Sequence, residues 1–232
     1  MSAVLALFDL DGTLLSGDTD ELWCEFLIEV GVLDRETFAE ANADVAARYA
    51  AAAIGPAEFC AFYAATLPGR SAEAWQPLRS RFIASTIEPR LEAQARALVD
   101  RHRQRGDTLV LTTATNRFLA EPIAASLGME HLIATELEVE GAVFTGHNAG
   151  VLNMREGKVE RLREWLAARG ADEGVLAEAF FYSDSINDAA LLRAVGRPVA
   201  IDPDEKLDAL ARTAGWPIVR MARRDGPLSG RR

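Results

Sequence analysis

The sequence predicts an α/β fold in which helices cover both faces of a parallel sheet and an all-helical insertion follows the first strand. Short apolar runs alternate with helical patterns after residue 89, which is typical of parallel strands joined by helices. Residues 18–90, in contrast, have helical spacing only. We therefore predict a core of residues 1–16 and 89–220, a helical domain of residues 17–88 and a flexible tail of residues 221–232.

The first strand and the helices after it are predicted from apolar spacing and capping residues. Residues 3–8 form an uninterrupted apolar run that is typical of a buried strand. Helical spacing begins after Asp18, Gly55 and Pro56 begin another helix, and Ser71 can cap a further one. We expect three or four helices in this segment.

After residue 89 the pattern changes to alternating helices and strands. Gly106 and Gly128 each follow a helical pattern and are typical of the end of a helix. Two of the later apolar runs flank Glu140 and Gly141 and predict a hairpin. The predicted strands are residues 108–113, 132–139, 142–145, 179–182 and 198–201, and residues 158–169 form an amphipathic helix.

The composition disfavours several classes of function. A net charge of −10 argues against a DNA or RNA partner, since affinity for the phosphate backbone depends on basic patches. No apolar run approaches the roughly 20 residues of a membrane span, and the start lacks the basic residues of a signal peptide. Cys24 and Cys60 have no metal-like spacing and indicate a reducing compartment. We expect a cytoplasmic protein with free thiols and no evident protein partner.

Polar residues collect where three of the predicted strands end. Asp9 and Asp11 follow the first strand, residues 112–116 end the next one, and residues 183–188 follow the strand at 179–182. In open parallel sheets, ligands bind beyond the carboxyl ends of the strands. The sequence therefore predicts one shared pocket at this edge of the sheet.

The charges in this pocket indicate a cation. Two carboxylates about 4 Å apart repel by roughly 4 kcal/mol at an effective dielectric constant near 20. Mg²⁺ is the usual ion where carboxylates meet a phosphate, because it prefers hard oxygen ligands. Zinc is disfavoured, since the three histidines fall in separate predicted elements and are expected to be structural or exposed. The carboxylates concerned are those of Asp9, Asp11, Asp184 and Asp188.

These residues carry a family resemblance. The run Asp9-Leu10-Asp11-Gly12-Thr13 resembles the first motif of the haloacid dehalogenase superfamily of phosphohydrolases. Thr113 resembles the residue that ends the second motif, Lys158 the lysine of the third, and residues 183–188 the acidic fourth motif. The resemblance implies a Rossmann-like core with an inserted helical cap. A cap inserted between the first and second motifs resembles that of the phosphoserine phosphatase-like branch, subfamily IB. Within this branch, the sequence around Gly157-Lys158-Val159 and Glu121-Pro122-Ile123 resembles histidinol-phosphate phosphatases.

The resemblance implies a role for each acidic residue of the core. Asp9 would attack the phosphorus of a phosphomonoester and form an aspartyl-phosphate. Asp11 would protonate the leaving group and then deprotonate the water that hydrolyses the intermediate. Asp9, the carbonyl of Asp11 and Asp184 would hold Mg²⁺, while Lys158 would neutralise charge on the nucleophile and the transferring group.

The remaining motif residues would bind the substrate. Thr113 and the backbone amide of Ala114 would hydrogen-bond the phosphoryl oxygens, and Asn187 and Asp188 would position the substrate, the lysine or the metal ion. In this branch an acidic residue nine positions after the nucleophile contacts the substrate amine, which implies that role for Asp18. The predicted substrate is a small phosphate ester of an amine-bearing metabolite, such as histidinol phosphate or phosphoserine.

Several patterns allow a second interpretation. Asp-Gly is common in turns after strands, acidic residues are favourable at the start of a helix, and Asp18 with Glu21 also forms a capping box. The same residues would serve a phosphotransferase or mutase that passes the phosphoryl group to a sugar hydroxyl. A non-catalytic phosphometabolite-binding protein is the alternative from another class, although such a protein has no need of both a nucleophile and an acid.

Overall fold

The computed structural model of the protein describes residues 4–51 and 53–221. The predicted first strand lies within this part from residue 4 onward, whereas residues 222–232 of the predicted flexible tail lie outside the described residues. The strands of the described part are β1 Leu5–Phe8, β2 Thr108–Asn116, β3 His131–Glu140, β4 Val143–Ala149, β5 Phe180–Ser183, β6 Arg197–Ile201 and β7 Ile218–Val219.

In the described residues these strands form one seven-stranded sheet in the order β4-β3-β2-β1-β5-β6-β7. All neighbouring pairs are parallel except β3 and β4, which are antiparallel. The predicted parallel sheet is therefore confirmed. The predicted β3–β4 hairpin is also present, and β3 in addition pairs with β2, which joins the hairpin to the core sheet.

The hairpin turn lies one residue later than predicted. Gly141 and Ala142 have positive φ values of 54° and 69°, whereas Ala142 was expected to begin the second strand. Two successive residues with positive φ are typical of a type I′ turn, whose twist matches that of the two strands. The twist of the hairpin therefore places Ala142 in the turn, although alanine has no preference for this conformation.

Helices connect and cover the strands. Gly55 precedes Pro56, the first residue of α3, and the Ser71 hydroxyl accepts a hydrogen bond from the Ala74 amide, as the capping pattern predicts. The α-helices of the described part are α1 Thr19–Glu29, α2 Arg35–Ala50, α3 Pro56–Ala64, α4 Ala72–Phe82, α5 Ala93–Gln104, α6 Arg117–Ser126, α7 Glu156–Ala167, α8 Ala189–Ala194 and α9 Glu205–Ala214. A π-helical turn, Ile83–Ile87, and a short 3₁₀ turn, Glu88–Arg90, continue α4.

Two hydrophobic clusters lie on opposite faces of the sheet. Ala6 and Phe8 point to the face that α5 and α6 cover, whereas Leu5 and Leu7 point to the face covered by α7, α8 and α9. This alternation follows from the two-residue period of a strand, and burial on both sides explains why β1 is apolar throughout. This confirms the prediction that helices cover both faces of the sheet.

The helices between β1 and β2 have a smaller cluster of their own. Cys24 of α1, Val45 of α2 and Phe59 of α3 pack together there. Trp23 and Phe82, in contrast, join the cluster on the α5 and α6 face of the sheet. The helical segment thus packs against the sheet through α1 and α4, and α3 lies next to β4.

Both cysteines, Cys24 and Cys60, are buried free thiols. Among the helices of residues 4–51 and 53–221, none combines the length and apolar character needed to traverse a bilayer.

The topology places the end of β1 at the centre of the sheet. β1 lies between β2 and β5, with Leu5 opposite Thr108 and Ala6 opposite Phe180. The Asp9 amide continues this pairing and donates to the Tyr182 carbonyl over 2.9 Å. Residues that follow β1, β2 and β5 are consequently brought to one edge.

Candidate active site

A buried ion-pair network lies at the centre of this edge. Lys158, in the first turn of α7, places its Nζ 2.8 Å from Asp9 Oδ1 and 2.8 Å from Asp188 Oδ2. The Ser183 hydroxyl donates to the same Asp188 oxygen over 2.7 Å. All four side chains are buried, so these charges interact in a medium that screens them far less than water does.

The pKa values of this pair reflect burial and the neighbouring charges. Burial raises the pKa of Asp9 well above its usual value; the Lys158 ammonium opposes this, while Asp188 and Asp184 add to it. Burial alone would lower the pKa of Lys158, but the carboxylates of Asp188 and Asp9 raise it overall. Lys158 therefore remains a cation, and it favours the ionised form of Asp9.

The turn after β1 places the Thr13 hydroxyl between two carboxylates. Gly12 has a φ of 76°, a conformation that glycine adopts without steric cost, and the chain reverses there. The Thr13 hydroxyl then lies 3.2 Å from Asp9 Oδ2 and 3.2 Å from Asp184 Oδ1. One hydroxyl thus connects the acidic residues that follow β1 and β5.

Asp11 points away from this network, towards α1 and the end of β2. Its Oδ1 accepts hydrogen bonds from the amide and hydroxyl of Thr19, and its Oδ2 accepts one of 2.6 Å from the Thr115 hydroxyl. Burial raises the pKa of Asp11, although the hydrogen bonds from Thr115 and Thr19 oppose the shift. A carboxyl with a raised pKa can carry a proton nearer neutral pH, which suits an acid and base.

The end of β2 is held in place by a buried asparagine. Thr113 is fully buried, and its hydroxyl accepts a hydrogen bond of 3.1 Å from the Thr115 amide and lies 3.4 Å from Asp11 Oδ2. Asn153 Nδ2 donates to the carbonyls of Thr113 and Ile133, each over 2.9 Å. Ala114, the next residue along β2, is partly exposed. Asn153 thereby ties the loop before α7 to β2 at Thr113 and to β3 at Ile133.

Residues 183–188, the fourth motif, are held by hydrogen bonds on two sides. The Asp204 amide donates to the Asp184 carbonyl over 2.8 Å, and Asp204 Oδ2 accepts a hydrogen bond of 2.8 Å from the Ile186 amide. On the other side, Arg155 Nε donates to Asn187 Oδ1 over 3.2 Å. Arg155 has a positive φ of 50°, which is uncommon for a residue with a side chain. These contacts leave Asn187 beside α7 instead of in direct contact with Asp9 or Lys158.

Asp18 caps α1. Its Oδ1 accepts hydrogen bonds from the amides of Asp20 at 2.9 Å and Glu21 at 3.1 Å, as the capping-box interpretation predicts. Burial, together with Asp11, raises the pKa of Asp18. The carboxylates of Asp18 and Asp20 therefore stand beside Asp11 at the helical side of the site.

The oxygen atoms near Asp9 fit a small divalent cation. Asp9 and Asp184 supply carboxylate oxygens on either side of the Thr13 hydroxyl. Within the described ranges no three His, Cys, Asp or Glu side chains group as a metal site, so a protein-only cage is not formed. Mg²⁺ commonly binds through one or two carboxylates and completes its shell with water and phosphate oxygens.

Sequence reasoning missed four residues that hold this arrangement. Thr19 and Thr115 bind Asp11, Asn153 binds the Thr113 carbonyl, and Asp204 fixes the fourth motif. The repeated threonines at the end of β2 were the one available signal, because the other three contacts join segments that are distant in the fold.

Comparison with known proteins identifies the relatives of this chain. The profile of the haloacid dehalogenase-like hydrolases matches residues 6–193, which is more than half of the chain. A histidinol-phosphatase from Neisseria meningitidis serogroup C (strain 8013) is 35% identical over 216 residues, which cover 93% of this chain and 97% of the relative.

Solved structures agree with this comparison. A protein of unknown function from Bordetella pertussis Tohama I is 39% identical, with a TM-score of 0.90 over 94% of this chain and 99% of that one. A phosphoserine phosphatase solved as an analogue of its phospho-aspartyl intermediate has a TM-score of 0.69 over 96% of this chain and 95% of that one. At 17% identity, this second likeness concerns the fold alone.

Proposed function

Because the chain belongs to the haloacid dehalogenase-like hydrolase family, we propose that it hydrolyses small phosphate monoesters through a phosphoryl group carried on Asp9. The observation that carries this proposal is the buried contact of 2.8 Å between Lys158 Nζ and Asp9 Oδ1. An ammonium beside a buried carboxylate favours its ionised, nucleophilic form and can also offset charge on an incoming phosphoryl group.

The reaction would proceed in two displacements. An Asp9 oxygen attacks the phosphorus, the bond between phosphorus and the leaving oxygen breaks, and Asp11 donates its proton to that oxygen. Asp11 then takes a proton from a water molecule, whose oxygen attacks the phosphorus, releases inorganic phosphate and restores Asp9. The raised pKa of Asp11 supports its protonated form in the first step.

The remaining residues of the network would bind the phosphoryl group and its metal ion. We infer that Asp9, Asp184 and the carbonyl of Asp11 hold Mg²⁺, which would neutralise charge on the phosphoryl oxygens. Thr113 and the Ala114 amide would hydrogen-bond those oxygens.

A further group would keep Lys158 in position. Asp188 contacts its ammonium directly over 2.8 Å, whereas Asn187 would act from beside α7, where it is held by Arg155.

The substrate we propose is the phosphate ester of an amine-bearing metabolite. The Neisseria relative is named for its action on histidinol phosphate and matches this chain over almost its whole length. Asp18 and Asp20 lie beside Asp11, and burial together with the Asp11 carboxylate raises the pKa values of both. A cation next to them would stabilise their ionised, negatively charged forms. Negative charge there favours a cationic leaving group.

We also propose that residues 17–88 act as a cap over a core of residues 1–16 and 89–220, because Thr19 of α1 contacts Asp11 directly. Opening and closing of such a cap would admit the ester and exclude competing water. The free thiols are in keeping with the cytoplasm as the compartment.

Release of inorganic phosphate tests this function. The purified protein with Mg²⁺ should hydrolyse p-nitrophenyl phosphate and histidinol phosphate, and Asp9→Asn should reduce kcat/KM by roughly a thousandfold or more because the nucleophile is lost. Removal of Mg²⁺ with a chelator should abolish turnover, and added Mg²⁺ should restore it.

Asp34→Asn is a matched control, since Asp34 is an exposed cap of α2 outside the site. Full turnover by Asp9→Asn would contradict the mechanism. Transfer of the phosphoryl group to an added alcohol in preference to water would instead indicate a phosphotransferase.

A further inference from the structure

Asn153 is a fully buried asparagine in the loop before α7, and its side chain joins two strands of the sheet. Its Nδ2 donates to the carbonyls of Thr113 in β2 and Ile133 in β3, each over 2.9 Å. The Thr112 hydroxyl lies 3.1 Å from the same nitrogen, and the main-chain amide of Asn153 donates to the Thr135 hydroxyl over 3.2 Å. All four partners are neutral hydroxyl or carbonyl oxygens.

The side-chain oxygen of Asn153 is an unpaired polar atom. Within residues 4–51 and 53–221, Oδ1 is buried and no donor lies within hydrogen-bond distance of it. A buried acceptor without a donor destabilises the folded state, and a leucine of similar size would avoid that cost. Stability alone therefore does not favour asparagine at this position, whereas the two N–H groups of Nδ2 give it a use that leucine lacks.

Asn153 contacts the two strands where their pairing becomes irregular. β2 and β3 pair in regular parallel register as far as Thr113 and Ala134, and the register then shifts before Asn116 pairs with Thr135. A regular ladder fixes the direction of each peptide group through its interstrand hydrogen bonds. Beyond Thr113 that constraint is interrupted, and the hydrogen bond from Asn153 acts on the last residue of the regular part.

The carbonyl of Thr113 and the amide of Ala114 belong to one peptide group. None of the peptide bonds in the described ranges is cis, so this carbonyl and this amide point in opposite directions from one rigid plane. A hydrogen bond that fixes the Thr113 carbonyl therefore also fixes the direction of the Ala114 N–H. It polarises the peptide group as well, which makes that N–H a stronger donor.

We propose that Asn153 is a positioning residue that aims the Ala114 amide at the phosphoryl group of the substrate. This inference rests on the proposed phosphatase function, in which the Ala114 amide binds a phosphoryl oxygen. Asn153 itself does not touch the substrate in this arrangement, because its N–H groups are engaged with the two strands.

The same loop also connects this amide with Lys158. Asn153 and Lys158 are joined by a compact turn, in which the Met154 amide donates to the Leu152 carbonyl over 2.8 Å and the Gly157 amide donates to the Met154 carbonyl over 2.9 Å. One short segment thus sets both the position of the lysine and the direction of the amide. These are a charged and a neutral donor for the same phosphoryl group.

The affinity of the protein for inorganic phosphate tests this assignment, because phosphate would bind through the same amide. Asn153→Asp keeps the shape of the side chain but, when ionised, has no donor and repels the two carbonyls. The inhibition constant of phosphate against p-nitrophenyl phosphate, measured with Mg²⁺ at about pH 8, should rise by about 10- to 100-fold. This is the effect of losing one hydrogen bond to a charged group.

Acidification should partly reverse this loss. A buried carboxyl beside carbonyl oxygens and without a cationic partner has a raised pKa, so it takes up a proton as the pH falls. The protonated group has one O–H donor and can again bind one of the two carbonyls. The ratio of the inhibition constants of Asn153→Asp and the wild-type protein should therefore decrease by about threefold or more between about pH 8 and about pH 5.5. A ratio that is the same at both pH values would overturn the inference.

Thr135→Val is the matched control. It removes the hydroxyl that binds the main-chain amide of Asn153, at an equally buried position, and leaves Nδ2 with both carbonyls. This variant should lose stability but keep the wild-type inhibition constant within about twofold. An equal increase in Thr135→Val and Asn153→Asp would mean that Asn153 only holds the loop. That result would overturn the inference, and so would a wild-type inhibition constant in Asn153→Asp.

If Asn153→Asp does not fold, NMR spectroscopy of the isotope-labelled wild-type protein decides the question. Added phosphate should shift the backbone amide signal of Ala114 and, through the shared peptide group, the side-chain amide signals of Asn153. The absence of a shift at either group would contradict the proposed coupling.

Hydrolysis of p-nitrophenyl phosphate by the wild-type protein separates this inference from the proposed function. If the wild-type protein cleaves that ester and Asn153→Asp binds phosphate equally well, only the role of Asn153 is wrong. If the wild-type protein cleaves no ester at all, the proposed function is wrong, and the positioning role is wrong with it.

Discussion

At the scale of single residues, Lys158 is the side chain on which the centre of the site depends. It is 2% exposed and contacts Asp9 and Asp188, so its removal leaves two carboxylates close together in the protein interior. Removal of one partner of a buried ion pair destabilises a protein by much more than the intact pair stabilises it, because the remaining charge is no longer compensated.

Lys158→Met should therefore reduce the free energy of unfolding by about 3–5 kcal/mol, measured by urea denaturation at neutral pH. The matched control is Lys206→Met, which removes an exposed lysine on α9 and should change stability by no more than about 0.5 kcal/mol. Equal stability of the two variants would contradict a buried ion-pair network.

The role of a motif residue was predictable where it follows from the residue type and the neighbouring sequence. Asp9 and Asp11 follow an apolar strand directly, and buried carboxylates there call for a partner whatever the rest of the chain does. Thr19 and Asn153 could not be predicted, because each acts through contacts made only after the loops have folded against the strand ends. A threonine in the first turn of a helix and an asparagine in a loop are common and have no distinctive spacing.

At the scale of elements, the start of α7 decides where Lys158 is placed. Gly157 lies in the first turn of this helix, and a Cβ atom added there would be 2.1 Å from the carbonyl oxygen of Leu152. The helix and the preceding loop can approach this closely only because residue 157 has no side chain. Lys158 follows immediately, so the same contact sets its distance to Asp9.

Gly157→Ala should consequently displace the first turn of α7, with a loss of about 1–3 kcal/mol in stability. Phosphate release should fall as well, by up to about a hundredfold, since a shift of about 1 Å in a reacting group can have this effect. Gly55→Ala is the control, because a Cβ at Gly55 has no atom within 4 Å. Wild-type stability and turnover in Gly157→Ala would show that the helix tolerates the displacement.

The elements themselves were largely predictable, and the exceptions have a common cause. The hairpin of β3 and β4 was predicted from its local turn, but the pairing of β3 with β2 was not, because parallel pairing joins segments separated by a helix. Likewise β2 continues to Asn116 instead of ending at Thr113, with an irregular register between those residues. That extension brings Thr115 to Asp11.

At the scale of the whole molecule, a buried histidine links helix to sheet and makes stability depend on pH. His102 of α5 places Nδ1 2.7 Å from Asp107 Oδ2 and Nε2 2.7 Å from the Tyr182 hydroxyl. Burial lowers the pKa of His102 below 6.5, although Asp107 opposes the shift. The unfolded chain therefore takes up a proton at a higher pH than the folded protein does.

The contribution of His102 to stability should be fully present above pH 6.5 and decrease as the pH falls below that value. Urea denaturation at a series of pH values checks this, with His102→Gln compared with the exposed His147→Gln. The wild-type protein and His147→Gln should lose stability in parallel on acidification. The same slope in His102→Gln would mean that another group is responsible.

The overall architecture and the family were predictable because the motifs occur in order, each at the end of a strand or the start of a helix. The match of the family profile to residues 6–193 confirms the prediction of a haloacid dehalogenase-like hydrolase. A small cavity lined by Asp20, Tyr63 and Thr135 was not predictable, since it forms where α1 and α3 meet β2, β3 and β4. The shape of this cavity therefore depends on how the helical segment packs against the sheet, which no single segment encodes.

The central position of β1 also affects how the protein is made. β1 leaves the ribosome before its neighbours in the sheet, which lie at residues 108–111 and 180–182. At about 5–20 residues per second, synthesis of these partners takes roughly 5 to 35 seconds more, and α1 to α4 can form through local contacts in that time. Asp184 and Asp188 are translated later still. The nascent chain therefore lacks part of the candidate site until Asp188 has been synthesised.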